Sequence, residues 1–208
     1  MVNVRGALII IEGLDRTGKS TQCKKLVENL NKKLIKAINT NFPNRNTDIG
    51  NVIDKYLKSQ NNLSDETIHL LFSANRWELA KDIIKTLEQG TSIIVDRYCY
   101  SGAAFSAAKG LDLEWCKSAD VGLPKPDKVF FLTMPMDVIE NREGYGMERY
   151  ENYNFQKKVS DIYHQLMDTT WEVVDANRSI KVIEQELLEK SLNVINNVDS
   201  IAIGKVWM

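Results

Sequence analysis

Gly13-Leu14-Asp15-Arg16-Thr17-Gly18-Lys19-Ser20 has the residue types and spacing of a phosphate-binding loop, G-x-x-x-x-G-K-S. The apolar run Ala7-Leu8-Ile9-Ile10-Ile11 leads straight into it, and from Thr21 onward the chain is helix-forming and amphipathic. That strand–loop–helix context turns a short pattern into a mechanism. Backbone N–H groups of such a loop point inward at an anion, and the dipole of the following helix reinforces them. Lys19 can reach the β- and γ-phosphates of a nucleotide, and the Ser20 hydroxyl can hold Mg²⁺. These residues predict binding of a nucleoside triphosphate.

The same loop carries two further charges, Asp15 and Arg16. An acid among phosphates raises the electrostatic cost unless it has a task, such as accepting a hydrogen bond from a sugar hydroxyl; the plain alternative is a solvated turn residue. Arg16 could neutralise charge on a transferred phosphoryl group, as an arginine finger supplied in cis. Downstream, Asn41-Phe42-Pro43-Asn44-Arg45 opens a turn that aims Arg45 back over the strand ends. In Asp96-Arg97-Tyr98 an acid ends an apolar β-run, the position from which a phosphate-loop enzyme holds Mg²⁺, although such an Asp can equally cap the next helix. Phe72 and Arg76 stand four apart and so share a helix face, where an aromatic can stack a base and an Arg can bond its edge. Arg142 to Tyr150 is irregular and holds Arg142, Glu148, Arg149 and Tyr150, which reads as a lid over reacting phosphates or as an ordinary surface loop.

Something must hold these residues together, and the hydrophobic pattern says what. Five short β-rich runs, at 7–11, 34–38, 92–96, 128–134 and 171–175, are separated by segments of helical periodicity. Cys23, Leu26, Val27, Leu30 and Leu34 stripe the first helix, and Ile49 to Leu57 marks a second. A long third helix spans about 65–87, with Ser64 as N-cap and Gly90 beyond its end. Phe155 to Met167 and Ile180 to Val198 give two more. Short apolar strands alternating with helices predict an α/β fold, a five-stranded parallel sheet covered by helices on both faces. No repeat or linker divides the chain, so residues 1–208 read as one domain with a lid at about 142–154. In such a sheet ligands gather at the carboxyl ends of the strands, where every residue named above lies or can reach.

Composition narrows the partners. Of 208 residues, 27 are basic and 28 acidic, so no overall field points to nucleic acid or a membrane surface. Cys23, Cys99 and Cys116 are scattered and lack CxxC spacing, which suits free thiols in a reducing compartment. Glu12 ends the N-terminal apolar run, arguing against a secretory signal, and no stretch approaches a membrane span. The expectation is a soluble cytoplasmic protein, with a nuclear share left open. His69, His164 and the four Trp residues read as packing or surface positions.

Taken together the segments resemble the thymidylate kinases (dTMP kinases) of the eukaryotic and poxviral type. The match runs nearly end to end, through Arg5-Gly6-Ala7-Leu8-Ile9 into the phosphate loop, Phe42-Pro43-x-Arg45 and Leu70-Leu71-Phe72-Ser73-Ala74-Asn75-Arg76-Trp77-Glu78. It continues in Val95-Asp96-Arg97-Tyr98, Gly122-Leu123-Pro124-Lys125-Pro126-Asp127 and Glu148-Arg149-Tyr150-Glu151-Asn152. The resemblance implies a three-layer P-loop kinase that transfers the γ-phosphoryl group of ATP to dTMP, with Mg²⁺, as a homodimer in dTTP biosynthesis. It implies that Gly13, Arg16, Thr17, Gly18, Lys19, Ser20, Thr21 and Arg142 serve ATP, with Ser20 and Asp96 serving the metal. It further implies an acceptor site of Asp15, Phe42, Arg45, Phe72, Arg76, Arg97, Gly102, Phe105 and Tyr150. Within it Phe72 would stack on thymine, Arg76 bond the base edge, Arg45 and Arg97 hold the dTMP phosphate, and Asp15 accept from the 3′-hydroxyl. Tyr150 would crowd the sugar 2′ position. Asp15, Arg16, Lys19, Arg97 and Arg142 would form the catalytic set. Two departures stand out: Asn44 replaces the Glu of the eukaryotic-type FPER pattern, and the lid run Asn141 to Gly146 is more acidic than many.

Three rivals are weighed against this. A small GTPase would need Asn-Lys-x-Asp, but Asn31-Lys32 continues Lys33-Leu34 on a helix. A kinase for another pyrimidine nucleoside monophosphate such as dUMP, or for a free nucleoside, is closer; the pair Arg45 and Arg97 argues for a phosphorylated acceptor. A non-catalytic relative would not be expected to keep Lys19, Ser20, Asp96 and Arg97 intact.

Overall fold

The computed structural model describes residues 5–198 and 201–208. Five parallel strands, β1 (Leu8–Gly13), β2 (Ala37–Asn41), β3 (Ser92–Asp96), β4 (Lys128–Thr133) and β5 (Trp171–Asp175), lie in the order β2-β3-β1-β4-β5. β1 is central, pairing Ile11 with Asp96 of β3 on one side and Gly13 with Leu132 of β4 on the other. Every residue of β1 is buried, as helices on both faces demand. The helices are α1 (Lys19–Lys32), α2 (Asp48–Leu57), α3 (Asp65–Glu88), α4 (Cys99–Ala107), α5 (Leu113–Ser118), α6 (Met136–Glu140), α7 (Tyr153–Leu166) and α8 (Ile180–Ile195).

Their ends follow from the local sequence. Thr47, Ser64, Asp112, Asn152 and Ser179 each accept from a backbone N–H of the first turn and so cap α2, α3, α5, α7 and α8. Gly18 enters α1 in the left-handed region, at φ 93°, a conformation that a residue with a Cβ adopts only under strain. The largest hydrophobic cluster fills the space between the sheet and its helices. A second, smaller one joins Ile53, Tyr56 and Leu57 of α2 to Ile68 of α3 and to Tyr150.

Two boundaries differ most from the sequence reading. The second strand begins at Ala37, not at Leu34, because α1 ends at Lys32 and Leu34 turns outward with φ 64° and almost full exposure. Its apolar side chain mimics the helical stripe without joining the core. The last helix ends at Ile195, short of Val198, whose side chain still reaches the core. All three cysteines are buried free thiols. His69 is buried, bonded to Ser106 (2.9 Å) and to the Cys116 carbonyl (3.0 Å), while Trp171 is buried and Trp77 is largely exposed. No helix among the described residues is long and apolar enough to cross a membrane.

Candidate active site

The loop between β1 and α1 is braced from within. Thr17 Oγ1 donates to the Leu14 carbonyl at 2.9 Å, and Lys19 Nζ donates to the same oxygen at 2.6 Å. Lys19 is almost fully buried. Burial, joined by repulsion from Arg97, pushes its ammonium down to about 8, against the partial pull of Asp15 and Asp96.

Asp96 closes β3 opposite this loop. It accepts from the Ser20 hydroxyl through Oδ2, and its buried Oδ1 has no partner among the described residues. It does not cap the helix that follows. That task falls to Glu12, whose Oε1 accepts from the backbone N–H of Tyr98 (2.9 Å) and of Ser101 (3.2 Å), since the side chain of Tyr98 at the N-cap makes no capping bond. Glu12 Oε2 accepts from Ser101 Oγ (2.6 Å) and Tyr163 Oη (2.9 Å). Burial raises the Glu12 carboxyl above its ordinary range, and Arg97 and Ser101 pull back only in part.

Arg97 occupies the left-handed region at φ 66°, a strained conformation for a side chain of its size. It donates through Nη2 to Asp15 and through Nη1 to the Gly13 carbonyl and Ser101 Oγ, both at 3.2 Å. Burial is the strongest single influence and opposes its charge, yet Asp15, Tyr163, Asp96 and Glu12 together outweigh it and hold the guanidinium protonated. Asp15 shows the converse: burial pushes its carboxyl up, but Arg97 and Lys19 bring it below the usual range. Gln156 Nε2 donates to Asp15 Oδ2 at 2.7 Å, so this acid is bonded on both oxygens and is not a solvated turn residue.

Across the strand ends, Arg45 pairs with Asp54 (2.7 Å) and Glu148 (2.9 Å). The Phe42–Pro43 bond before it is cis. Arg76 is buried on α3 against the carboxylate of Asp120. Phe105 packs at 5.6 Å from Tyr150, and the Arg97 guanidinium lies 5.4 Å over the Phe105 ring. Between α6 and α7 the chain crosses the phosphate loop. Arg142 Nη1 donates to the Arg16 carbonyl at 2.6 Å, and Arg16 donates to Glu151 at 2.8 Å and to the Gly144 carbonyl at 2.5 Å. Glu151 also accepts from the N–H of Met147 (3.0 Å) and of Glu148 (3.3 Å), which fixes the shape of the segment.

These elements enclose one cleft of about 840 Å³. Of the residues singled out from the sequence, Asp15, Arg16, Gly18, Lys19, Ser20, Thr21, Phe42, Arg45, Phe72, Arg76, Asp96, Arg97, Gly102, Phe105, Arg142 and Tyr150 line it. Gly13 and Thr17 do not; they shape the loop from beneath. Glu148, expected only as part of the lid, lines the cleft as well, and Glu151, Gln156 and Ser101 contribute without having been anticipated as site residues. Charged residues inside helical or irregular stretches give no periodic signal, and only the fold shows which way they face. Seven cations along a cleft with a phosphate loop at one end and an aromatic patch at the other suit two phosphorylated ligands meeting head to head.

The thymidylate kinase family model matches residues 11–187. The chain is 46% identical to the thymidylate kinase of Danio rerio and 45% identical to that of Homo sapiens, over 98% of each chain in both cases. The solved structure of thymidylate kinase from Candida albicans superposes with a TM-score of 0.88 at 39% identity, covering 98% of this chain and 99% of that one.

Proposed function

The chain belongs to the thymidylate kinase family, and from that premise we propose that it transfers the γ-phosphoryl group of ATP to dTMP, giving ADP and dTDP. The observation that carries this reading is the single cleft joining Lys19 and Ser20 at one end to Phe72 and Arg76 at the other, with Arg97 between. Lys19 and the loop amides hold the β- and γ-phosphates. Arg45 and Arg97 hold the acceptor phosphate, Arg97 from a position that also meets the moving group. Phe72 stacks on the base, and Asp15, aligned by Gln156, accepts from the sugar.

The acceptor is already an anion, so alignment and neutralisation of charge suffice, without a strong base or a covalent nucleophile. Arg16 and Arg142, bonded to each other's neighbourhood, close the lid and exclude water. Magnesium fits the donors at the loop: among the described residues Asp96 Oδ1 lacks a partner, and the Ser20 hydroxyl lies beside it. Held there with ATP, the ion would neutralise phosphate oxygens.

We further infer one kinase domain over residues 1–208 with its lid at 142–154, and a cytoplasmic homodimer. Leu70 and Trp77, seven apart on α3 and both exposed, support an apolar face for self-association. ADP release measured with dTMP, dUMP, UMP, CMP, GMP, AMP and thymidine tests the assignment. Strong turnover with dTMP and weaker turnover with dUMP is expected; activity with thymidine but not dTMP would overturn the roles of Arg45 and Arg97.

A further inference from the structure

We infer that Asp120, in the turn after α5, is the positioning residue that makes Arg76 a donor of fixed direction, and so sets the preference for a pyrimidine that presents a carbonyl oxygen at the contacted edge over one that presents an amine there. The inference rests on the reading of Arg76 as the contact to the base edge.

Arg76 and Asp120 are both essentially inaccessible to solvent. A buried guanidinium is tolerated only when it is paired and hydrogen-bonded. Here the pairing is bidentate: Nε donates to Oδ1 at 3.0 Å and Nη2 to Oδ2 at 2.6 Å, which fixes the plane of the guanidinium. Nη1 has no protein acceptor among the described residues, and it belongs to a residue that lines the cleft beside Phe72. Asp120 is itself clamped, since Ser73, one turn before Arg76 on α3, donates to its Oδ1 at 2.8 Å.

On the opposite side stands Gly102 of α4. A Cβ there would lie 2.7 Å from Arg76 Nη2 and 3.0 Å from Nη1, so the absence of a side chain is what admits the guanidinium. Held between a carboxylate and a bare backbone, Arg76 cannot swing clear of a ligand amine, which it has no acceptor to meet. A ligand edge that accepts is met by a donor already in place; an edge that donates leaves two N–H groups facing each other.

Asp120→Asn keeps the shape and removes the charge. The expected result is a KM for dTMP raised at least tenfold with the KM for ATP within twofold of the parent, and a narrowed preference for dTMP over dCMP. A purely structural role would instead lower the melting temperature and the active fraction, reducing kcat while leaving both KM values and the dTMP-to-dCMP preference in place; that result overturns the proposal. Arg76→Ala separates the two layers of the argument. If Arg76→Ala raises the KM for dTMP and Asp120→Asn does not, the role of Asp120 falls; if Arg76→Ala itself leaves that KM unchanged, the underlying reading of Arg76 falls first. Should Asp120→Asn fail to fold, Gly102→Ala displaces the guanidinium from the other side without stranding a buried charge. It must also raise the KM for dTMP and narrow the same preference, and unchanged values sink the proposal.

Discussion

Lys19 must be charged to meet a triphosphate, yet in the free protein burial and Arg97 lower its ammonium to about 8. Below that pH the cation is present before the ligand arrives. Above it, ATP binding has to recapture a proton, so the Kd for ATP should rise with pH, by up to about tenfold per unit. The linkage to folding has the opposite sense. The unfolded chain keeps this proton to about 10.5, so between about 8 and 10.5 it binds more protons than the folded state, and this group favours folding increasingly as pH rises. Titration calorimetry of ATP across this range, with Lys19→Arg as a control that cannot deprotonate, checks the claim; a flat profile well above pH 8 would refute it. Arg97 poses a different question, because it contacts Asp15 and faces the cleft from a strained backbone. Arg97→Ala should lower kcat by roughly 10³-fold, the lower end for an arginine that stabilises a transferring phosphoryl group. Its effect on ATP affinity should be far smaller, and wild-type-like turnover would remove it from the catalytic set. The charges of both residues were legible in their motifs. The left-handed backbone of Arg97 and the service of Glu12 beneath it were not, since neither leaves a pattern in the chain.

At the scale of elements, one side chain organises the stretch of the lid around Met147 and Glu148. Glu151 accepts from Arg16 and from the N–H groups of Met147 and Glu148, and it is nearly buried in doing so. Replacing the carboxylate by an amide in Glu151→Gln removes one charge from the latch and substitutes a donor for one acceptor oxygen. Amide hydrogen exchange at Met147 and Glu148 should speed up by about tenfold or more, and ATP hydrolysis without acceptor should rise as water enters. Unchanged protection at those two amides would show that the lid is held elsewhere. The sequence announced this segment by its irregular composition and named Arg142 and Tyr150, but gave no hint that an acid two residues from a helix start would organise it. Strands were easier to read. Ser92–Asp96 matches its β-rich run residue for residue, because a strand buried along its whole length leaves a dense apolar signal bounded by polar turns. The second strand slipped because β2 lies at the sheet edge, with three of its five side chains exposed. There the apolar run Leu34-Ile35 belongs to the turn.

The whole molecule has its central strand, β1, feeding the phosphate loop, with neighbours β3 and β4 on either side. Brackets for the acceptor, α2 and α3, are joined by the second hydrophobic cluster to Tyr150 in the lid, while the lid's Arg142 and Glu151 are bonded to the phosphate loop. The donor and acceptor ends therefore share one movable part. If each ligand orders the lid, the second to bind meets a lid already ordered and spends less of its interaction on closing it. Positive coupling follows, and it must be reciprocal. In the presence of a saturating ATP analogue with a non-hydrolysable β,γ-linkage and Mg²⁺, the Kd for dTMP should fall by about 5-fold or more, the lower end of typical coupling between sites. dTMP should tighten the analogue by the same factor. Glu151→Gln, which weakens one of the ties between lid and loop, should reduce both factors together while leaving each ligand's affinity alone nearly unchanged. Calorimetric titrations in both orders measure all four constants of this cycle. Equal dTMP affinity with and without the analogue would mean that the two ends of the cleft fill independently, and that the lid closes over the phosphates without conveying anything to the acceptor side.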